Sequence, residues 1–328
     1  MKGVEFPQMN AVLGRPGSMK ETECYDLPIR RHVTNLGPAI ASVWELTDED
    51  IDRIIVSRKI FVNTMGTSLA PFSLDTEDPF PRRRVLLRNP DGLIGDFLGT
   101  IPAMIDVARI HQLDVVIHPE ARELFDLIPK RYGITAIDEP GSNDGYDYHG
   151  TMDISAAFTL SHQKDYYMSQ AHMELLGLWV SPQPPKAELD IPDIDVPVAD
   201  FILAPFSRSL PSEQKWPAAQ WQKLVDMHPD KTFVVIGHDR DPRRFITGRN
   251  VLDAYAQPIT EVCNLLKKAR RGLISVVSGP SHLAFHLGVK NYLLTNQNMT
   301  WGNNPDAIQL RHQIPNMTAE DFSTFLDA

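Results

Sequence analysis

Beyond about residue 83 the chain alternates short apolar runs with stretches in which apolar residues recur at helical spacing. "RVLLR" (Arg84 to Arg88), "LDVVIH" (Leu113 to His118) and "GITAID" (Gly133 to Asp138) read as strands. Between them Ile101, Met104, Ile105 and Ala108 share one helical face, and "PEARELFDLI" (Pro119 to Ile128) reads as a helix opened by proline. The order βαβαβ predicts a parallel sheet with helices on its faces. Pro102 lacks an N–H and suits a first turn, so the helix around it is expected to begin after Asp96. Glu139 to Thr151, rich in turn formers, is expected to be a long loop.

The rhythm repeats after a break. Residues 181 to 200 hold five prolines and little periodicity, which predicts a stiff extended connection. Beyond it "FILAPF" (Phe201 to Phe206), "TFVVIG" (Thr232 to Gly237), "LISVVSG" (Leu273 to Gly279) and "NYLLT" (Asn291 to Thr295) read as strands. "KWPAAQWQKLVDM", "PITEVCNLLKKA" and "SHLAFHLG" read as helices, and "TAEDFSTFLDA" as a last helix capped near Thr318. Two α/β units follow, residues 81–198 and 199–328.

Residues 1–80 do not share this pattern. Thr47 and Asp50 form a capping box before the apolar face of Ile51, Ile54 and Ile55, with "ASVWEL" and "KIFVN" as flanking strands. A small α+β appendage is expected. The run from Ala41 to Gly66 resembles a small module of tailed-phage proteins.

Composition narrows the function classes. At 328 residues the chain is long for one core and suits two domains with a cleft between them. A net charge of -10 argues against broad attraction to nucleic acid or anionic membrane, although "RRR" (Arg82 to Arg84), "RDPRR" (Arg240 to Arg244) and "KKARR" (Lys267 to Arg271) are local basic clusters. Cys24 and Cys263 have no metal-like or redox-like spacing and read as reduced. The first ten residues lack the apolar core of a signal peptide and no run is long enough to span a bilayer, so the cytoplasm, of a cell or of a phage-infected host, is the expected compartment.

Candidate chemistry gathers in three motifs. In "RVLLRNPDGLIGDFLGTIPAM" a carboxylate, Asp96, follows two spaced glycines at the end of a strand, where it could cap its helix or act as a base. "KWPAAQWQKLV" brings Lys215 before a helix. "VVSGPSHLAFHLG" turns from strand to helix at Ser278 and Gly279, the form of an anion site. Together these motifs, over roughly residues 83 to 300, resemble the ADP-heptose:lipopolysaccharide heptosyltransferases, a family of GT-B glycosyltransferases.

The resemblance implies two doubly wound Rossmann-like domains facing each other across a cleft, and inverting, metal-independent sugar transfer from a nucleoside-diphosphate donor. No cofactor beyond that donor is implied. It makes Asp96 the catalytic base, and Ser278, Gly279, His282 and Lys215 neighbours of the donor phosphates. Ser207 and Arg208 stand where the family presents groups to the same phosphates. The terminal helix is expected to cross back to the first domain.

One position departs from the family, which carries an acid immediately before "[ST]-G" where this chain has Val277. An apolar side chain accepts no bonds from sugar hydroxyls, so the resemblance by itself does not assign heptose as the donor sugar, and the acceptor stays open among glycans, small molecules and modified DNA. Three other readings follow: an inactive sugar-nucleotide binder or structural protein, prompted by Val277; a phage DNA-base glycosyltransferase, prompted by the basic clusters; and a serine hydrolase, prompted by Ser281 in "GPSHL" with Asp306 and His312 after it. The carboxylate pairs "DID" (Asp193 to Asp195) and "DRD" (Asp239 to Asp241) mimic a metal site but fall in the connection and in a loop.

Overall fold

The computed structural model describes residues 2–14, 26–34, 37–57, 82–207, 216–242, 245–295, 305–310 and 317–326. Lys215, Arg208, Cys24, His312, Arg243 and Arg244, and the expected strand "KIFVN", lie outside these residues.

The appendage contains β1 (Lys2–Val4), β2 (Ala11–Leu13), β3 (Leu27–Thr34), β4 (Gly37–Ala41), β5 (Val43–Glu45) and helix α1 (Asp48–Ser57). β1 pairs with β5, and β2, β3 and β4 form an antiparallel meander. The capping box at the start of α1 is present: Thr47 N and Oγ1 donate to Asp50 Oδ2, and Asp50 N donates to Thr47 Oγ1.

The first α/β unit comprises β6 (Arg84–Asn89), α2 (Ile94–Ile110), β7 (Gln112–Ile117), α3 (Arg122–Phe125), β8 (Thr135–Ile137), β9 (Tyr148–Thr151), α4 (Ile154–Lys164) and α5 (Met168–Leu175). Its four strands are all parallel in the order β8-β7-β6-β9. Three expectations are corrected here. The stretch from Pro119 breaks into a single 3-10 turn and the short α3. Part of the expected long loop is the strand β9, whose backbone completes the sheet beside β6. Polar side chains hid it: three of its four residues are exposed.

The third correction concerns α2, which begins at Ile94, before Asp96, and carries Pro102 in its interior. Pro102 removes one bond of the helix ladder. Burial outweighs that loss, since nearly every residue from Phe97 to Ile110 is buried, with α5 of the same unit and α8 of the second unit packed against the helix. A helix apolar on all sides belongs in the middle of a molecule.

The second unit comprises β10 (Phe201–Ala204), α6 (Ala218–Met227), β11 (Phe233–Gly237), β12 (Val251–Tyr255), α7 (Ile259–Lys268), β13 (Gly272–Val276), α8 (Gly279–Leu287), β14 (Asn291–Leu294), β15 (Ile308–Leu310) and α9 (Ala319–Leu326). Strands β12 and β15 add to the four that hydropathy predicts. The sheet is fully parallel in the order β12-β11-β10-β13-β14-β15. This is the doubly wound order 3-2-1-4-5-6, with its reversal between β10 and β13, and ligands of such sheets bind beyond the strand ends at the reversal.

One apolar cluster runs from Val85 and Leu87 through Leu98 and Ile101 to Leu265, Leu273 and Leu283, so the two units share a core. The proline-rich connection has no regular structure but is held on both sides: Asp190 N donates to Leu127 O, and Asn264 Nδ2 and Lys268 Nζ donate to the carbonyls of Pro192 and Ile194. The terminal helix does not cross back to the first unit. Phe322 of α9 is fully buried against Trp216 and Tyr292, Ala319 N donates to Gln220 Oε1, and Trp216 Nε1 donates to Met317 O. Aromatic burial beside α6 thus anchors α9 within its own unit.

Candidate active site

Asp96 lies in the first turn of α2. The residue before the helix, Leu93, is extended and provides no side-chain cap. Asp96 makes no hydrogen bond or ion pair to any described residue, which disposes of the capping role. Its carboxyl pKa is pushed up to about 6, first by burial and then by the charge of Asp91. Such a carboxylate remains mostly ionised at neutral pH while being more basic than an ordinary aspartate.

The carboxylate stands beside the reversal of the first sheet. Strand order turns between β6 and β9, and the segments leaving them carry Asp91 and Asp153. The Asp91 carboxyl is also raised, by burial first and then by Asp153, while His118 acts in the opposite sense. Asp91 and Asp153 were not legible as site residues in the sequence, because only strand order brings these two loops together.

The second unit presents its own reversal to the same place. Ser207 follows β10 and is buried; Ser278 and Gly279 follow β13 at the head of α8 and are partly exposed. Ser278 Oγ donates to Val276 O at 3.1 Å. Pro280 has no N–H, and Ser281 N turns back to Ser278 O, so the amide of Gly279 is the donor that heads the helix. Glycine gives the closest approach here, since a Cβ at Gly279 would lie only 3.0 Å from Cβ of Ile94 in the first turn of α2.

Gly95 is the counterpart. A Cβ on it would lie 2.7 Å from Cδ2 and 3.3 Å from Nε2 of His282. The N-termini of α2 and α8, one from each unit, therefore meet, and two positive helix ends flank the Asp96 carboxylate.

Beneath them sits a buried polar chain. The Tyr167 hydroxyl lies 2.9 Å from His282 Nδ1 and 3.4 Å from His286 Nε2, and Ala187 N donates to His286 Nδ1 at 2.7 Å. Burial lowers the His282 pKa to about 4 and that of His286 to about 3, so both rings are neutral. The Tyr167 phenol is raised by burial and by the nearby Asp96 charge. His282 keeps some accessible surface although protein atoms crowd its ring. His286 is one turn from His282, a pairing visible as "HLAFH"; Tyr167 in "KDYYMSQ" carries no sequence signal.

Several competing features resolve into structure. Ser281 is buried, accepts from Asn291 Nδ2 at 3.1 Å, and is no exposed nucleophile. Asp306 pairs with Lys186. Lys268 and Arg270 pair with Asp193 and Asp200, and Arg84 with Asp114, so two of the three basic clusters are partly neutralised locally. Asp241 Oδ2 accepts from His238 N. Among the described residues no group of three or more His, Cys, Asp or Glu side chains is placed to hold a metal ion. Cys263 is buried, its thiol pushed up to about 12. No described helix is long and apolar enough to cross a membrane.

No protein-family model matches the chain and no curated protein matches its sequence. Solved structures do match in three dimensions. The heptosyltransferase WaaC of E. coli, solved with ADP, superposes with a TM-score of 0.56 at 15% identity over 74% of this chain and 99% of that one. The fold is GT-B. A glycosyl transferase family 9 protein from Veillonella parvula matches with a TM-score of 0.55 at 14% identity, over 71% of this chain and 87% of that one. The iron-containing dodecameric glycosyltransferase TibC from enterotoxigenic E. coli matches with a TM-score of 0.54 at 19% identity, over 71% of this chain. The match spans 64% of TibC's own length. The GT-B fold accounts for the two facing switch points.

Proposed function

We propose that the protein is a glycosyltransferase that moves a sugar from a nucleoside-diphosphate donor to an acceptor hydroxyl in a single inverting displacement. The observation that carries this reading is an unpaired, partly buried carboxylate, Asp96, with a raised pKa, standing where the helix N-termini of two Rossmann-like units meet.

The acceptor hydroxyl gives its proton to Asp96 as its oxygen forms a bond to the anomeric carbon. The bond from that carbon to the donor phosphate oxygen breaks with both electrons going to the nucleoside diphosphate. With one carboxylate serving as base and no second one needed as nucleophile, the acceptor enters opposite the leaving group and configuration inverts.

Negative charge developing on the departing diphosphate needs fixed positive partners. The amide of Gly279 at the head of α8 and the Ser207 hydroxyl flank the reversal of the second sheet, Ser278 would turn its Oγ–H from Val276 O to the diphosphate when the donor binds, and the family resemblance assigns Lys215 and Arg208 as cations for the same leaving group. These cations carry the charge that a divalent metal would otherwise balance. Val277, between β13 and α8, replaces an acid of the resembling family and leaves the sugar pocket with a more apolar wall.

ADP and ADP-heptose occupy solved structures of the neighbouring enzymes, so ADP-sugars are the first donors to try. The test is release of nucleoside diphosphate from a panel of nucleotide sugars, with Asp96→Asn alongside. Release by the native protein that falls by orders of magnitude in the variant supports the reading. Binding without release, or equal release by the variant, overturns it.

A further inference from the structure

The hydrogen-bond chain beneath the site has only one consistent assignment of protons. The amide of Ala187 is a donor, so His286 Nδ1 accepts and the ring, being neutral, carries its proton on Nε2. That Nε2–H faces the Tyr167 hydroxyl oxygen and donates to it. The Tyr167 hydroxyl must then give its own proton elsewhere, because a buried phenol without an acceptor costs the full loss of a hydrogen bond. Among the described residues its other partner is His282 Nδ1, at 2.9 Å. His282 Nδ1 therefore accepts, and its proton sits on Nε2.

Cδ2 of His282 lies nearest to Gly95, one residue before Asp96, at 2.7 Å from where a Cβ would stand, with Nε2 next to it at 3.3 Å. The Nε2–H makes no hydrogen bond to any described residue, although the ring is otherwise packed. Tyr167 is itself held: its ring meets Phe285 edge-on at 4.8 Å, its N–H donates to Gln170 Oε1, and Gln170 Nε2 donates to Ser181 O.

We propose that Tyr167, backed by His286, is a positioning residue that locks His282 in its Nε2–H form and so presents one neutral N–H donor to an oxygen of the bound glycosyl donor beside Gly95. The tautomer follows from the hydrogen bonds alone; its use in turnover rests on the glycosyltransferase reading. A neutral donor of this kind stabilises negative charge on a phosphate or departing oxygen without competing with Asp96 for the acceptor's proton.

The test is a long-range proton–nitrogen NMR spectrum of the full chain carrying 15N-histidine, recorded at pH 7 on the native protein and on Tyr167→Phe. The native spectrum should show His282 with its proton on Nε2, and the variant should show it exchanging between tautomers. In the same variant kcat/KM for the donor should fall by about tenfold, equivalent to about 1.4 kcal/mol. His282 protonated on Nδ1 in the native protein overturns the proposal by itself, including if Tyr167→Phe does not fold. So does an unchanged His282 spectrum in a folded variant. Failure of the transferase reading looks different: no nucleoside diphosphate is released by the native protein, while the NMR result stands.

Discussion

The guanidinium of Arg30, from β3 of the appendage, grips both carboxylate oxygens of Asp106 on α2, at 3.1 and 3.3 Å, with both side chains buried. The appendage is thereby fastened to the helix that bears Asp96 at its other end. Arg30 also donates to Gln8 O, which ties the turn between β1 and β2 to the same point.

Breaking this pair from one side leaves a charge in the core without its partner. Arg30→Met should destabilise the protein by about 3–5 kcal/mol, whereas Arg30→Met with Asp106→Leu should regain most of that loss. Urea unfolding of both variants measures the difference. A single variant as stable as the native protein would show that the appendage docks by other contacts.

Asp96 has a cost in stability that depends on pH. Its folded pKa of about 6 is above its unfolded value, so the folded state holds the proton more tightly. Stability from this group is therefore greatest below the unfolded pKa and declines as pH rises through the window up to about 6. Asp96→Asn removes the decline. The variant should exceed the native protein by about 3 kcal/mol at pH 8 and by less than about 1 kcal/mol at pH 4, in parallel denaturation curves. A gain that is the same at both pH values would show that the carboxylate is not desolvated.

Gly95→Ala places a methyl group where His282 lies. The ring or the helix must move, at about 1–3 kcal/mol, and the two helix heads must separate. Turnover should fall more than donor binding does, since the proposed base, Asp96, and the proposed leaving-group site at Gly279 are then misaligned. Steady-state kinetics with isothermal titration of the donor separates the two effects. Undiminished turnover would mean that the contact of Gly95 with His282 is not required in the working state.

Phe322 tests the place of the terminal helix. Phe322→Ala empties space between Trp216 and Tyr292 and should cost about 3–5 kcal/mol, read by thermal or urea unfolding. A loss below about 1 kcal/mol would mean that α9 does not belong to the core of the second unit.

Hydropathy alone was enough to place β6, β7, β10, β11, β13 and β14, because strands buried on both faces are written as unbroken apolar runs. The capping boxes at Thr47 and Thr318 were legible for a related reason: their bonds join residues three apart. Strand β9 was not legible, since its exposed side chains carry no hydrophobic signal and only pairing with β6 defines it. Nor was the start of α2, where burial on all sides overrides the local cost of Pro102.

The candidate site divides along the same line. Asp96, Ser278, Gly279 and His282 sit in short motifs at the ends of strands and the heads of helices, so residue order alone marks them as candidates. The contact of Gly95 with His282, the passage of hydrogen bonds through Tyr167 to His286, and the raised carboxyl of Asp96 each depend on residues far apart in the chain. Their physical cause is the removal of water where two units pack together, and only the tertiary structure decides which groups lose it.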